Sequence, residues 1–280
     1  MKEFIFVVDE QFNGWKTLDF LNANGVSDEI IKKVKFGGVF VNGALLKNAS
    51  ERVLFGDQVK MVLPPDTPNP YIVPIKAPLK VVYEDQYLIA VNKPSGMLTH
   101  SSRHNKTIAL EQVVCGYFLP NAFTFRAVNR LDRDTSGIVL IAKDEYTASL
   151  LNEQIKKGKI QKTYSAIVVG SVISEHFIIE KPIKRVAPNS MKRTCAQDGK
   201  YAKSECTLVK GLDDGKSIID VKLHTGRTHQ IRVHLASVGL PLFADNLYGE
   251  KVDGKTYTLH AKELKFIHPI TKKEMVIKAE

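Results

Sequence analysis

Residues 126–144 read Arg126-Ala-Val-Asn-Arg-Leu-Asp-Arg-Asp-Thr-Ser-Gly-Ile-Val-Leu-Ile-Ala-Lys-Asp144, a charged, turn-forming segment that runs directly into an apolar, β-branched run. The pattern predicts a buried strand over 137–142 and makes 129–136 the loop that feeds it. That loop holds Arg130, Asp132, Arg133 and Asp134 at the rim of a hydrophobic core, where reactive groups are commonly held. Arg130 stands two residues before Asp132 and Arg133 beside it, and nearby positive charge favours an ionised carboxylate. Asp132 is therefore a candidate nucleophile or base; the alternative is a structural ion pair with Arg130 at a turn.

Working outward, Asn129-Arg-Leu-Asp-Arg-Asp-Thr-Ser-Gly137 resembles the HRLD-x-x-TSG signature of the RluA-type pseudouridine synthases. Three further blocks resemble that family in its order: Val91-Asn-Lys-Pro-Ser-Gly96, Lys162-Thr-Tyr-Ser-Ala166, and Thr225-Gly-Arg-Thr-His-Gln-Ile-Arg-Val-His-Leu235. The four blocks lie in order within residues 79–270. One departure is Asn129, where the family more often has His; the expected consequence falls on loop packing or RNA contact before chemistry.

The resemblance implies an α+β fold. The expected catalytic domain, 79–280, is a mixed, mainly antiparallel β-sheet with flanking helices and a central cleft. It implies isomerisation of uridine within RNA: the N-glycosidic bond breaks, the uracil turns, and it is rejoined to the ribose through carbon. It also implies that Asp132 attacks the sugar or abstracts a proton from it, that Arg232 is its ion-pair partner, and that Tyr164 lies against the target uracil. Arg130 is expected to fill the gap left when the uridine leaves the stack, since enzymes acting on a base must extrude it. Lys93, Arg227 and His229 complete the expected cleft contacts, and no cofactor is implied.

Composition sets the outer bounds. With 44% apolar and 25% charged residues the chain reads as soluble and globular, and no apolar run approaches a membrane span. Cys115, Cys195 and Cys206 are odd in number and form no Cys-x-x-Cys pair, which argues against a disulfide framework or zinc site and points to a reducing compartment, the cytoplasm. A monomer is the default expectation. The net charge of +10 suggests a polyanionic partner, and RNA is the expected one, ribosomal RNA first and transfer RNA second. Residues 1–70 carry eight Lys or Arg against nine Asp or Glu, so the excess lies beyond them. It is densest over 181–203, where Lys181, Lys184, Arg185, Lys192, Arg193, Lys200 and Lys203 face a single Asp198. If these line one face they grip phosphates; otherwise they form a solvated basic loop.

Before the prolines, helices are expected over 17–24 and after the cap Ser27, then a strand into Asn42-Gly43 and another over 58–63. This order resembles the alpha-L RNA-binding motif, a small α/β domain over 1–64, for which Lys32, Lys33 and Lys35 must supply local attraction. Six of the chain's twelve prolines fall between 64 and 78, predicting a stiff, extended linker over 65–78. His100 and His104 read as solvent-exposed. His224, His229 and His234 invite a metal reading, but an offset of five separates neighbours on a strand or a helix, so no metal is expected. A helix from about 228 to Gly239 stacks His229 near Arg232 at i, i+3. A catalytically inactive RNA-binding or ribosome-assembly protein is the main alternative. A glycosidase is a third reading, for which only Asp134 offers a second carboxylate.

Overall fold

A computed structural model describes residues 1–101, 107–172, 174–212 and 214–280; His104 lies outside them. The first unit comprises β1 (Lys2–Val7), α1 (Thr17–Ala23), α2 (Asp28–Val34), β2 (Val39–Val41), β3 (Ala44–Leu45) and β4 (Gln58–Leu63). Its strands pair in the order β1-β4-β2-β3, with Phe20, Leu21, Ile30, Val34, Val59 and Met61 buried beneath the helices. Ser27 caps α2 by accepting from the Ile30 N–H, and Asn42 and Gly43 both take positive φ (50° and 82°) in the two-residue hairpin.

The second unit is built on β8 (Ser136–Ala142), which follows the predicted strand to within a residue. Val139 and Ile141 join one apolar cluster while Ile138, Leu140 and Ala142 join another, so the strand is covered on both faces. That explains why its sequence is continuously apolar instead of alternating. Around it lie β5 (Val81–Glu84), β6 (Leu88–Lys93), α3 (Leu110–Tyr117), β7 (Arg126–Ala127), α4 (Glu145–Lys156) and β9 (Gln161–Val169). The chain continues through β10 (His176–Glu180), β11 (Ile183–Arg185), β12 (Arg193–Cys195), β13 (Lys203–Leu212), β14 (Lys216–Leu223), α5 (Gln230–Ala236), β15 (Leu259–Ile267) and β16 (Glu274–Lys278).

The main sheet runs β10-β13-β14-β9-β15-β8-β6-β5, with β7 and β16 attached to β8 and β15. Its described pairings are antiparallel except β15 with β8, where His260 meets Ser136 and Ala261 meets Gly137. This parallel contact joins the two halves of the sheet. Gly137 sits there at φ 111°, and a Cβ on it would lie 2.5 Å from the Ala261 nitrogen, so only glycine fits the crossing. The observed α+β, mainly antiparallel architecture is the one expected.

The proline-rich stretch does not hang free. Asp66 receives two bonds from Arg126 (2.6 and 3.0 Å) and one from the Thr124 N–H, and the Ile75 N–H donates to Gln112 in α3. The first unit also packs on α4: Tyr146 lies 4.8 Å from the Phe4 ring and donates to the Asn24 carbonyl. Of the three lysines expected to attract RNA, Lys33 instead pairs with Glu145, and Lys35 lies over the Phe36 ring.

Candidate active site

The loop before β8 is anchored at Leu131, between Arg130 and Asp132. Leu131 is buried, and its N–H and carbonyl are both bonded to the Thr99 hydroxyl (3.2 and 2.9 Å). Arg130 and Asp132 on either side therefore line a cleft of about 750 Å³, shared with Tyr164 of β9, Leu223 of β14, and Arg227 and Arg232 around α5. Asn129 is buried; its amide donates to the Ile138 carbonyl and its oxygen accepts from the Leu140 N–H, both at 2.9 Å. The Asn in place of the family's usual His thus serves loop packing.

Asp132 is one-third exposed, and one carboxylate oxygen, Oδ2, stands 3.8 Å from both Arg232 Nη1 and His229 Nε2. Arg133 turns instead to Asp134, gripping it through Nε (2.9 Å) and Nη2 (3.0 Å). No ion pair between Arg130 and Asp132 is found among the described residues, so the structural alternative at this turn does not hold.

Arg232 comes from α5, as expected, but its main partner is a residue that sequence reasoning missed. Asp245, fully buried, accepts from Nε at 2.7 Å and Nη2 at 2.8 Å, a bidentate fork that leaves Nη1 toward Asp132. The guanidinium is further sandwiched by Tyr257 (4.4 Å) and Tyr248 (5.0 Å). Burial works against its charge, but the Asp245 bonds prevail and hold it above the ordinary arginine range. A buried arginine demands a counter-charge. That demand was the available signal for Asp245, though several acidic residues in the last third of the chain met it equally.

Tyr164 is buried, and burial, with the Asp132 charge second, pushes its phenol well above the usual tyrosine range. It stays protonated at neutral pH, available as a stacking surface or proton donor but not as a base. Lys162, two residues earlier on the same strand face, also lines the cleft, and burial lowers its pKa. His229 is the residue immediately before α5, in the left-handed region (φ 56°).

Lys93 is a correction. Expected to reach into the cleft, it is wholly buried and donates to the carbonyls of Pro94 (2.9 Å), Met97 (2.7 Å) and Arg133 (3.0 Å). Its ammonium ties the loop before β8 to the turn after β6, out of reach of a phosphate. The basic segment is also divided. β11 and β12 form a separate ribbon in which Arg185 and Arg193 face each other, while Lys184 points to the opposite side and holds Asp198. Lys192 lies over Tyr248, 5.9 Å from the ring centre. Arg227, exposed at the cleft, donates from Nε to the Tyr201 carbonyl. The three histidines of the 224–234 region diverge: His224 pairs with Glu205, and His234 is buried against Ser204 and the Lys181 carbonyl.

The cleft thus brings together a partly exposed carboxylate, a guanidinium fixed by a buried aspartate, and a buried tyrosine. Comparison with known proteins gives the class. The RNA pseudouridylate synthase family matches residues 87–237. An uncharacterized RNA pseudouridine synthase of Bacillus subtilis, YjbO, is 31% identical over 264 residues, covering 92% of each chain. Ribosomal large subunit pseudouridine synthase D of Buchnera aphidicola is also 31% identical, covering 87% of this chain and 82% of its own. The structure of human RNA Pseudouridylate Synthase Domain Containing 1 shares the fold, with a TM-score of 0.61 at 24% identity over 72% of this chain and 83% of that one. The chain belongs to the RNA pseudouridylate synthase family and is an enzyme that isomerises uridine in RNA.

Proposed function

We propose that the chain modifies large-subunit ribosomal RNA, with Asp132 as the catalytic carboxylate, attacking the sugar or taking a proton from it. The observation that carries this reading is the Arg232 guanidinium, locked by Asp245 and presenting its free nitrogen 3.8 Å from the Asp132 carboxylate at the cleft mouth. Apo sites commonly hold such contacts slightly long, and they tighten when substrate excludes water. Tyr164 supplies the floor against which the uracil lies. Arg130, exposed beside Asp132, occupies the place the extruded nucleotide leaves. Arg227, the half-buried Arg193 and the exposed Lys184, Arg185 and Lys192 meet flanking phosphates. In this reading the 1–64 unit is an alpha-L-type RNA-binding domain and the protein works as a monomer in the cytoplasm.

The choice of ribosomal RNA draws support from the relative named as a large-subunit synthase. Two measurements test the proposal. Pseudouridine mapping of total RNA from a strain lacking this gene should show a site lost from large-subunit ribosomal RNA; loss from transfer RNA alone would reassign the substrate. The Asp132→Asn protein should release no tritium from uridine labelled at the uracil carbon that loses its hydrogen, with an unchanged circular dichroism spectrum. Retained turnover would remove Asp132 from the mechanism.

A further inference from the structure

His229 combines three features that a plain RNA contact does not need. Its backbone adopts a left-handed conformation (φ 56°) that few non-glycine residues take, with its carbonyl accepting the first α5 bond, from the Val233 N–H at 2.9 Å. Strain of that kind persists only where surrounding structure enforces it, and it gathers at functional positions. Its ring is largely buried, and the two nitrogens have different neighbours. Nδ1 lies 2.9 Å from the Tyr248 hydroxyl, and Nε2 faces Asp132.

With its hydrogen given to His229 Nδ1, the Tyr248 hydroxyl would leave the imidazole proton on Nε2. That oxygen accepts from the Arg193 N–H at 2.8 Å, a backbone group that can only donate. The phenolic hydrogen then has one acceptor among the described residues, His229 Nδ1. Nδ1 therefore carries no proton, and a neutral ring holds its proton on Nε2. The ring's surroundings keep it neutral. Burial disfavours the charged form, and Arg232 and Arg193 add to that, against Asp132 and Asp245.

We propose that His229 is a positioning residue for the reaction: its Nε2–H and Arg232 Nη1 converge on one oxygen of Asp132, clamping the carboxylate and leaving the other oxygen to the nucleotide. Both donors stand at the same 3.8 Å from Oδ2, so a single small approach of Asp132 engages both at once. Tyr248 fixes the tautomer, and because it is also bonded to β12, the basic ribbon and the catalytic aspartate become parts of one hydrogen-bonded chain. The inference rests on the reading of Asp132 as the catalytic carboxylate.

The test uses the full chain with histidine labelled by nitrogen-15, and as substrate total RNA from the deletion strain grown with uracil tritiated at C5. Comparison with His229→Asn identifies the His229 signals, since Asn tolerates the left-handed backbone and preserves the fold. The wild type should show the Nε2–H tautomer, and Tyr248→Phe should convert it to a mixture. His229→Asn should lower kcat by about 10²-fold with KM unchanged, the scale expected when a catalytic group is misplaced by about 1 Å. An Nδ1–H tautomer in the wild type overturns the proposal. So does an intact kcat in His229→Asn, and a rise in KM alone makes His229 an RNA contact instead. Turnover by Asp132→Asn in the same assay would instead strike the catalytic reading beneath it.

Discussion

Arg232 is bonded to one aspartate and faces another, and the two should fail in opposite ways. Asp245 is fully buried with two short bonds to the guanidinium, so Asp245→Asn leaves a buried positive charge with its paired anion gone. Breaking a buried pair from one side typically costs about 3–5 kcal/mol. At about 2–4 °C per kcal/mol for domains of this size, the melting temperature should fall by about 6–20 °C. Asp132 is one-third exposed and its charged neighbour, Arg232, stands at 3.8 Å, beyond hydrogen-bond reach. Asp132→Asn should therefore change stability by no more than about 0.5 kcal/mol while abolishing turnover. In Asp245→Asn the loosened guanidinium should also cost about 10²-fold in kcat through misplacement. Thermal melts followed by circular dichroism, set beside tritium release at a temperature where both variants are folded, separate the effects. If Asp245→Asn melts with the wild type, or Asp132→Asn proves the less stable of the two, the division of labour drawn from this geometry is wrong.

Three further outcomes are expected. Gly137→Ala, which forces a Cβ against the Ala261 backbone at a positive φ, should destabilise the protein by at least about 3 kcal/mol, measured by denaturant unfolding; a neutral result would mean the β8–β15 crossing can open. Burial pulls the Lys93 pKa from 10.5 down to about 8, against the pull of Asp134 and Asp132. Over that interval the unfolded chain holds more protons than the folded one, so Lys93's contribution to stability grows with pH. The wild type should accordingly gain on Lys93→Met in melts between about pH 8 and 10.5, and the opposite slope would contradict the assignment. On the ribbon, replacing Arg185 and Lys192 together by Ala should flatten the dependence of RNA affinity on log salt by about 1 to 2 in slope, with tritium release at saturating RNA retained. An unchanged slope would take those side chains off the RNA path.

Much of this architecture could be read from local pattern. The apolar run after Ser136, the cap at Asp144 with Gly158 beyond α4, and the Asn42-Gly43 turn each carry their structure within a few residues, so sequence alone locates them. The charged loop before β8 was equally legible, because Leu131 flanked by Arg130 and Asp132 is a buried anchor between two outward side chains. The failures share a cause. Lys93 looked like a cleft lysine because its acceptors are backbone carbonyls, which no residue type reveals. The stiff, extended linker expected over 65–78 gave no sign of its anchor, because Asp66 finds Arg126 sixty positions later. Whether the basic segment lines one face was open in the sequence, and strand pairing in the β11–β12 ribbon sends Lys184 and Arg185 to opposite sides.

The miss at Asp245 shows where local reading ends. Arg232 is buried on α5, and α5 packs beside a sheet whose halves are joined by the pairing of β15, contributed late in the chain, with β8. Its counter-charge and both of its aromatic neighbours, Tyr248 and Tyr257, accordingly come from the segment between α5 and β15, after the four motif blocks. The groups lining the cleft can be spelled in short motifs, because each sits within a short block of its own: Asp132 in the loop before β8, Tyr164 within β9 and Arg232 in the first turn of α5. The groups that keep Arg232 charged and aimed are specified only once the sheet has closed over it. Substitutions at Asp245 and Tyr257 should therefore reach the reaction through Arg232.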